Sequence, residues 1–500
     1  MEIFARSAEQ RMPDGDATRG AGNLLFVTLI SLVSAMGGFL FGYETVVIAG
    51  TISLVKQQFA FSAFMEGWFV SSGLMGCVIG VVIAGNLCDK VGRRGVMTLS
   101  GALLTAAAIG CAFAPDPLWV IAGRIAGGVG VGLASIASPL YISEVAPAKY
   151  RGRLVSLFQL TITIGIVAAM LINAELLRRA LGGTQVPGQG WWHWLMVEQV
   201  WRGMFLGQFV PATIFLICAA AVPESPRWLA LRGHFEHAQH VLERLRGEKA
   251  SAAAELGEIR NAVNKEIQSK QGWAAAELRK PLFLGIFLTV FSELSGITVV
   301  MYYGPIILER AGVSAGSSLN GHAIIGIVLA AFTLLAVFLV DRVGRRRVLL
   351  TGVAGACVAL AVTGFCFARG VSDGAVIIGL LCTFVAFFAF SIGPIKWIVI
   401  SEIFPTNVRA RAMGIATIAL WLTDIVINQL FPIVRDQLGI WAMFLGCAVF
   451  LAIQFVVVLA RLPETKGLSL EEVMSIWKED RISRGSVRLG MPDAARPGTR

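Results

Sequence analysis

Twelve long apolar runs constrain this chain more than any other feature. They lie near residues 24–50, 66–87, 95–114, 117–142, 154–175, 203–222, 282–306, 322–340, 347–368, 374–403, 412–433 and 438–460. About 20 apolar residues cross a bilayer core, where every backbone N–H and C=O must be satisfied within the segment, and for runs of this length that means helix. The chain is 56% hydrophobic and 15% charged, against about 25% charged in ordinary soluble domains. The expectation is an all-α membrane protein with twelve transmembrane helices. The formal net charge of +10 does not point to nucleic acid, because the bases gather in short clusters between apolar runs, where positive charge marks the cytoplasmic side.

Those clusters give the orientation. Lys90, Arg93 and Arg94; Lys149, Arg151 and Arg153; Arg342, Arg345, Arg346 and Arg347; and Arg409 and Arg411 fall on every second connection. Both termini are therefore expected in the cytoplasm. The opposite connections carry only scattered bases, Lys56, Arg178, Arg179, Arg310, Arg369 and Arg435. Residues 1–22 are polar and read as a disordered tail, without the early apolar core of a signal peptide. A first six-helix half over 23–222 is followed by a cytoplasmic linker at 223–280. There Trp228, Leu229, Ala238, Val241, Leu242 and Leu245 recur at helical spacing among charges, so amphipathic helices are expected. A second half fills 281–460, and 461–500 forms another cytoplasmic tail.

The halves repeat each other. Asp89-Lys90-Val91-Gly92-Arg93-Arg94 returns as Asp341-Arg342-Val343-Gly344-Arg345-Arg346, Ser143-Glu144 as Ser401-Glu402, and Pro223-Glu224 as Pro463-Glu464. Two similar halves of this kind enclose a site near the midplane and rock about it, giving alternating access. Acids accompany bases at the repeated positions. Asp89, Arg93, Arg94, Glu144, Arg151 and Glu224, with Asp341, Arg345, Arg346, Glu402, Arg409 and Glu464, are therefore candidate charge locks on the cytoplasmic face. Topogenic charge is the plainer alternative. Exposed ion pairs are worth only about 0–1 kcal/mol each, so a lock needs the whole network.

Glu44 is the only charged residue between Leu24 and Val55. A charge inside a span costs a few kcal/mol unless offset, so it is either a proton or substrate site or a structural carboxylate paired to a base. Arg124 is its natural partner: Glu44 lies 20 residues beyond Leu24, and Arg124 lies 20 before Glu144, which places the two at comparable depth. A guanidinium and desolvation act oppositely on a carboxyl's proton affinity, so a gate that separates the pair would couple protons to motion. The eight cysteines form no CxxC pair, and no His stands at metal spacing. Gly127, Gly128, Gly130 and Gly132 lie inside an apolar run and so fit close helix packing rather than a nucleotide loop. No nucleophile, base and orienting group stand together. No cofactor is expected, the energy source being a proton gradient, and the chain is not read as an enzyme.

The doubled Asp-to-Arg-Arg loop, Pro223-Glu224-Ser225-Pro226-Arg227, Pro463-Glu464-Thr465-Lys466-Gly467, Gly123-Arg124 and Tyr302-Tyr303 occur together and in order. On these motifs the chain resembles the major facilitator superfamily, and within it the sugar porter family, over residues 24–470, with its bacterial sugar/proton symporters the nearest in look. The resemblance implies a monomeric plasma-membrane transporter of a sugar or sugar-like polar solute, driven by protons. It implies that an acid at Glu44 favours coupling, that Gln159 and Trp397 contact the sugar, and that Phe41 lines its site. The family's neutral amides on the seventh helix are replaced by Ser292, Glu293 and Thr298, and polar positions on the eighth and eleventh by Leu329 and Leu420. New charges stand at Glu293, Lys396 and Asp424, either binding the solute or pairing among themselves. A polyol, a modified sugar or a charged small molecule would suit them better than a plain hexose. A facilitator, an exporter of a non-sugar, and a non-transporting nutrient sensor are the alternative readings.

Overall fold

The computed structural model describes residues 24–147, 149–182, 190–247, 249–268, 279–404 and 409–464. Among them the regular structure is entirely helical, and eleven helices are long and apolar enough to cross a membrane. One of the eleven, Ala63–Ala112, has 50 residues. At 1.5 Å per residue that is about 75 Å, more than twice a bilayer core of about 30 Å. It is two crossings joined at Gly92, whose backbone (φ 87°, ψ 167°) leaves the helical region. Twelve spans result. The first three are Leu24–Phe59 and the two arms of Ala63–Ala112; the fourth to sixth are Pro117–Val145, Arg151–Leu181 and residues 191–221. The seventh to twelfth are Pro281–Arg310, Ala315–Val343, Arg345–Ala368, residues 374–403, Arg409–Gln437 and Ile440–Arg461.

Packing divides the described chain into two compact units, one holding residues 24–54 and 72–268, the other 55–71 and 279–464. Small residues set how closely spans approach. In the first unit Gly76 and Gly80 on the second span meet Gly128 and Gly132 on the fourth so tightly that a Cβ at any of the four would strike the partner backbone. Apolar side chains such as Leu25, Leu29, Val82, Ile217, Phe365 and Val456 remain largely exposed. Scattered along most spans, they form the face a bilayer covers.

Span ends are marked chemically. Asp116 accepts hydrogen bonds from the N–H groups of Leu118 and Trp119 where Pro117 starts the fourth span, and Asp373 accepts from Ala375 and Val376 at the start of the tenth. Between the sixth and seventh spans run helices Pro226–Leu231, Phe235–Arg246 and Lys249–Gln268. The second ends on Gly247 at φ 79°, and Arg246 clamps Glu255 at 2.6 and 2.7 Å.

Among the described residues, three spans carry interruptions. The sixth contains a π turn at Trp194–Glu198, and its backbone stays helical through Gly207 and Gln208. The seventh breaks between Leu294 and Ile297, with Gly296 at φ 84°. The tenth carries a π turn at Phe388–Ile392, just before Gly393-Pro394. Interruptions inside a span are tolerated where neighbouring helices or polar side chains take up the freed backbone groups, and such turns recur at functional sites.

Candidate functional site

In the first unit the Arg124 guanidinium reaches from the fourth span to the first. Its Nη1 donates to Glu44 Oε1 at 2.8 Å and to the Glu44 backbone oxygen at 3.3 Å. Both side chains are buried, Glu44 at 6% and Arg124 at 3% exposure. Gly73 makes the room: a Cβ there would stand 2.7 Å from Arg124 Nη2. Phe205 lies under the guanidinium at 6.0 Å. The pair is incompletely satisfied, since Arg124 Nε has no hydrogen-bond partner among the described residues. Gln208, buried on the sixth span, lies against the Glu44 carboxyl, yet its Nε2 closes no hydrogen bond of good geometry. Sequence reasoning missed Gln208, because a single glutamine in an apolar run does not show which side chain it will face.

Of the residues expected to line a solute site, the first unit carries Phe41, half-buried on the first span, and Gln159, exposed on the fifth. The second unit carries Ser292, Glu293, Thr298, Trp397 and Asp424, and it draws four of these five into one polar cluster. Lys396 Nζ donates to Glu293 Oε1 and to Ser292 Oγ, both at 2.8 Å. Asp424 Oδ1 accepts from Asn428 Nδ2 at 2.7 Å, and Thr298 hydrogen-bonds the same carboxyl. Asn428 Nδ2 also reaches Thr298 Oγ1 at 3.2 Å. Trp397 stands apart, half-buried, with its ring 5.6 Å from Lys396 Nζ. The break at Gly296 and the π turn of the tenth span flank this cluster on two sides.

At the basic end of the first unit, Arg93 meets Glu144 through Nε and Nη2, both at 3.0 Å, and Ser225 Oγ donates to the same carboxylate at 2.5 Å. Asp89 is peripheral, 3.7 Å from Arg93 and with a side chain 77% exposed. Glu224 is held chiefly by backbone: its Oε1 accepts from the N–H groups of Arg93 at 2.9 Å, Arg94 at 3.2 Å and Ser225 at 2.8 Å. Burial pushes the Glu224 carboxyl above its ordinary range, while those N–H groups and the Arg93 charge pull it down. The positive φ of Gly92 makes this nest, because a Cβ there would collide with the carboxylate. The second unit repeats it. Gly344 lies at φ 102°, and Glu464 accepts from the N–H of Arg345 at 2.9 Å and of Arg346 at 3.2 Å. Arg151 is exposed, and the side chains of Asp341, Glu402 and Arg409 lie outside the described residues.

A third charge group was not foreseen. Glu66, fully buried, receives Arg435 through both terminal nitrogens, at 2.5 and 2.8 Å, and Lys56 at 2.6 Å. Arg435 Nε also reaches Asp436 at 2.7 Å. Lys56 and Arg435 had looked like scattered bases, and only the packing of residues 55–71 into the second unit joins them. A groove of about 570 Å³ in the first unit, lined by Ile109, Phe113, Trp191, Trp192 and Val210 among others, lacks the polar groups a sugar needs.

Twelve spans in two units of repeated motif, with ion pairs buried inside both of them, define a secondary transporter of the major facilitator type. The model of the sugar (and other) transporter family matches residues 30–477, and the chain belongs to that family. It is 39% identical over 469 residues to the arabinose-proton symporter of Bacillus subtilis, covering 94% of this chain and 98% of that one. It is 35% identical over 465 residues to the major myo-inositol transporter of the same organism, covering 90% and 93%. A solved structure of the Escherichia coli xylose transporter, in an inward open conformation, superposes with a TM-score of 0.77 at 30% identity, covering 90% of this chain and all of that one.

Proposed function

We propose that this transporter carries a sugar or sugar-like polar solute across the plasma membrane in symport with protons, by alternating access, as a monomer with both termini in the cytoplasm. The observation that carries the reading is the buried Glu44–Arg124 contact, a single charge-assisted bond at 2.8 Å with unfilled hydrogen-bonding capacity around it. Separating the two leaves Glu44 a carboxylate in an apolar span, and a proton then neutralises it; bringing them together releases that proton. Relatives that move arabinose with protons and myo-inositol support the solute class.

Phe41, Gln159 and Trp397, with Ser292, Glu293, Thr298 and Asp424, line the solute path in this reading. Because Lys396 already occupies Glu293 Oε1, Thr298, Asn428 and Trp397 carry more of the solute contact. The basic-end network acts as a conformational lock. Arg93, Glu144 and Glu224, with Glu464 in the repeat, are its core, and the exposed Asp89 contributes least. The test is uptake by the purified chain in liposomes, with labelled L-arabinose, D-xylose, D-glucose and myo-inositol and an imposed pH gradient. Glu44→Gln should abolish gradient-driven accumulation and spare counterflow of the same solute. Full accumulation by the variant would sink the reading.

A further inference from the structure

The second unit buries three ionisable side chains together, Glu293, Lys396 and Asp424, at 4%, 7% and 2% exposure. Their charges do not cancel. Lys396 is committed to the seventh span, where Glu293 and Ser292 take it at 2.8 Å each. Asp424, on the eleventh, is hydrogen-bonded by neutral groups, the Asn428 amide and the Thr298 hydroxyl, while its charged neighbours are Glu293, of like sign, and the already engaged Lys396. Beyond the break in the seventh span, the Tyr303 hydroxyl donates to the Asn428 backbone oxygen at 3.0 Å, and the charged groups near Tyr303 are Glu66 and Arg435, which pair with each other. One negative charge is left over in a site removed from water, where an uncompensated carboxylate takes up a proton rather than stay bare.

We propose that this cluster is a second proton site, in which Asp424 and Glu293 share one exchangeable proton and Lys396 selects which of them is ionised. When the ammonium pairs with Glu293, Asp424 holds the proton as a neutral carboxylic acid. When it swings to Asp424, that acid gives up its proton and Glu293 takes one. The breaks beside Glu293 and before Lys396 put the two moving partners at points where their helices are already interrupted. Titrations of such a pair belong to the pair rather than to either residue. The inference extends proton coupling to a second carboxyl, and its test does not depend on Glu44 or on knowing the solute.

The test is infrared difference spectroscopy of the purified full-length chain in lipid, following the C=O stretch that a protonated carboxyl shows and a carboxylate lacks. A buried carboxyl band that titrates and is lost in Asp424→Asn is expected, whether or not Glu44→Gln removes another. Glu293→Gln frees Lys396 for Asp424 and should remove the same band without touching Asp424, which keeps the test open if Asp424→Asn fails to fold. Lys396→Met should add a further carboxyl band. An Asp424→Asn spectrum identical to that of the unaltered chain would overturn the proposal, as would a band that never titrates. So would loss of the band at constant pH on adding D-glucosamine but not D-glucose, which would assign the missing positive charge to a solute ammonium.

Discussion

Two of the buried carboxylate–guanidinium pairs, Glu66–Arg435 and Glu44–Arg124, are built differently. Glu66 is gripped through both oxygens by Arg435 and again by Lys56, so two cations serve one acid. Glu44 meets Arg124 through one short bond, with Arg124 Nε and the neighbouring Gln208 Nε2 unsatisfied. A bidentate pair with a second cation fixes geometry, and a proton arriving there must displace a cation. A single-bonded pair with spare capacity can open. Under the coupling role proposed for Glu44, burial of an ion pair is not what distinguishes the coupling site; its incompleteness is.

The largest test of that contrast is Glu66→Ala. It strands Arg435 and Lys56 without their shared acid, and breaking a buried pair costs about 3–5 kcal/mol. A fall of that size in the unfolding free energy of the detergent-purified chain is expected, whereas a shift under about 1 kcal/mol would erase the distinction. Arg124→Ala should cost less, about 1–3 kcal/mol, since Glu44 can take a proton in place of its partner; its larger effect should be loss of gradient-driven accumulation. Gly73→Ala sharpens the comparison without touching either charge. Its methyl would crowd Arg124 Nη2, so coupling should weaken, with a stability loss of about 1–3 kcal/mol for overpacking; uptake at several pH gradients reads the first and thermal unfolding the second. Asp89→Asn should be the smallest, within about 1 kcal/mol, because the pair is long and exposed. A large shift in crosslinking between reporter cysteines at the basic end would restore Asp89 to the core of the lock.

The count of spans and the repeat could be read from sequence because both are one-dimensional: apolar length, and motifs returning in order. The meeting of Glu44 with Arg124 was legible for the same reason, depth along a helix being arithmetic. Gln208 was not, since one polar residue in a long apolar run does not show which neighbour it will face. Nor was Glu66–Arg435, whose partners lie 369 residues apart and meet through packing that no local pattern encodes. Charge pattern put Glu224 among the candidate lock residues but did not show what holds it. Backbone N–H groups hold it, and they leave no trace in residue type beyond the glycine that aims them.

That glycine-made nest bears on how the protein is made. Arg93 and Glu224 are 131 residues apart, and Arg345 and Glu464 are 119 apart. During synthesis the turn between the second and third spans therefore emerges long before the acid that fastens it. The first clasp can close before the seventh span exists, whereas residues 55–71 wait for the second unit, since Glu66 meets Arg435 only after 369 more residues are made. Biogenesis is then a first closure, a second one, and a segment of the early chain that is seated only with the later half.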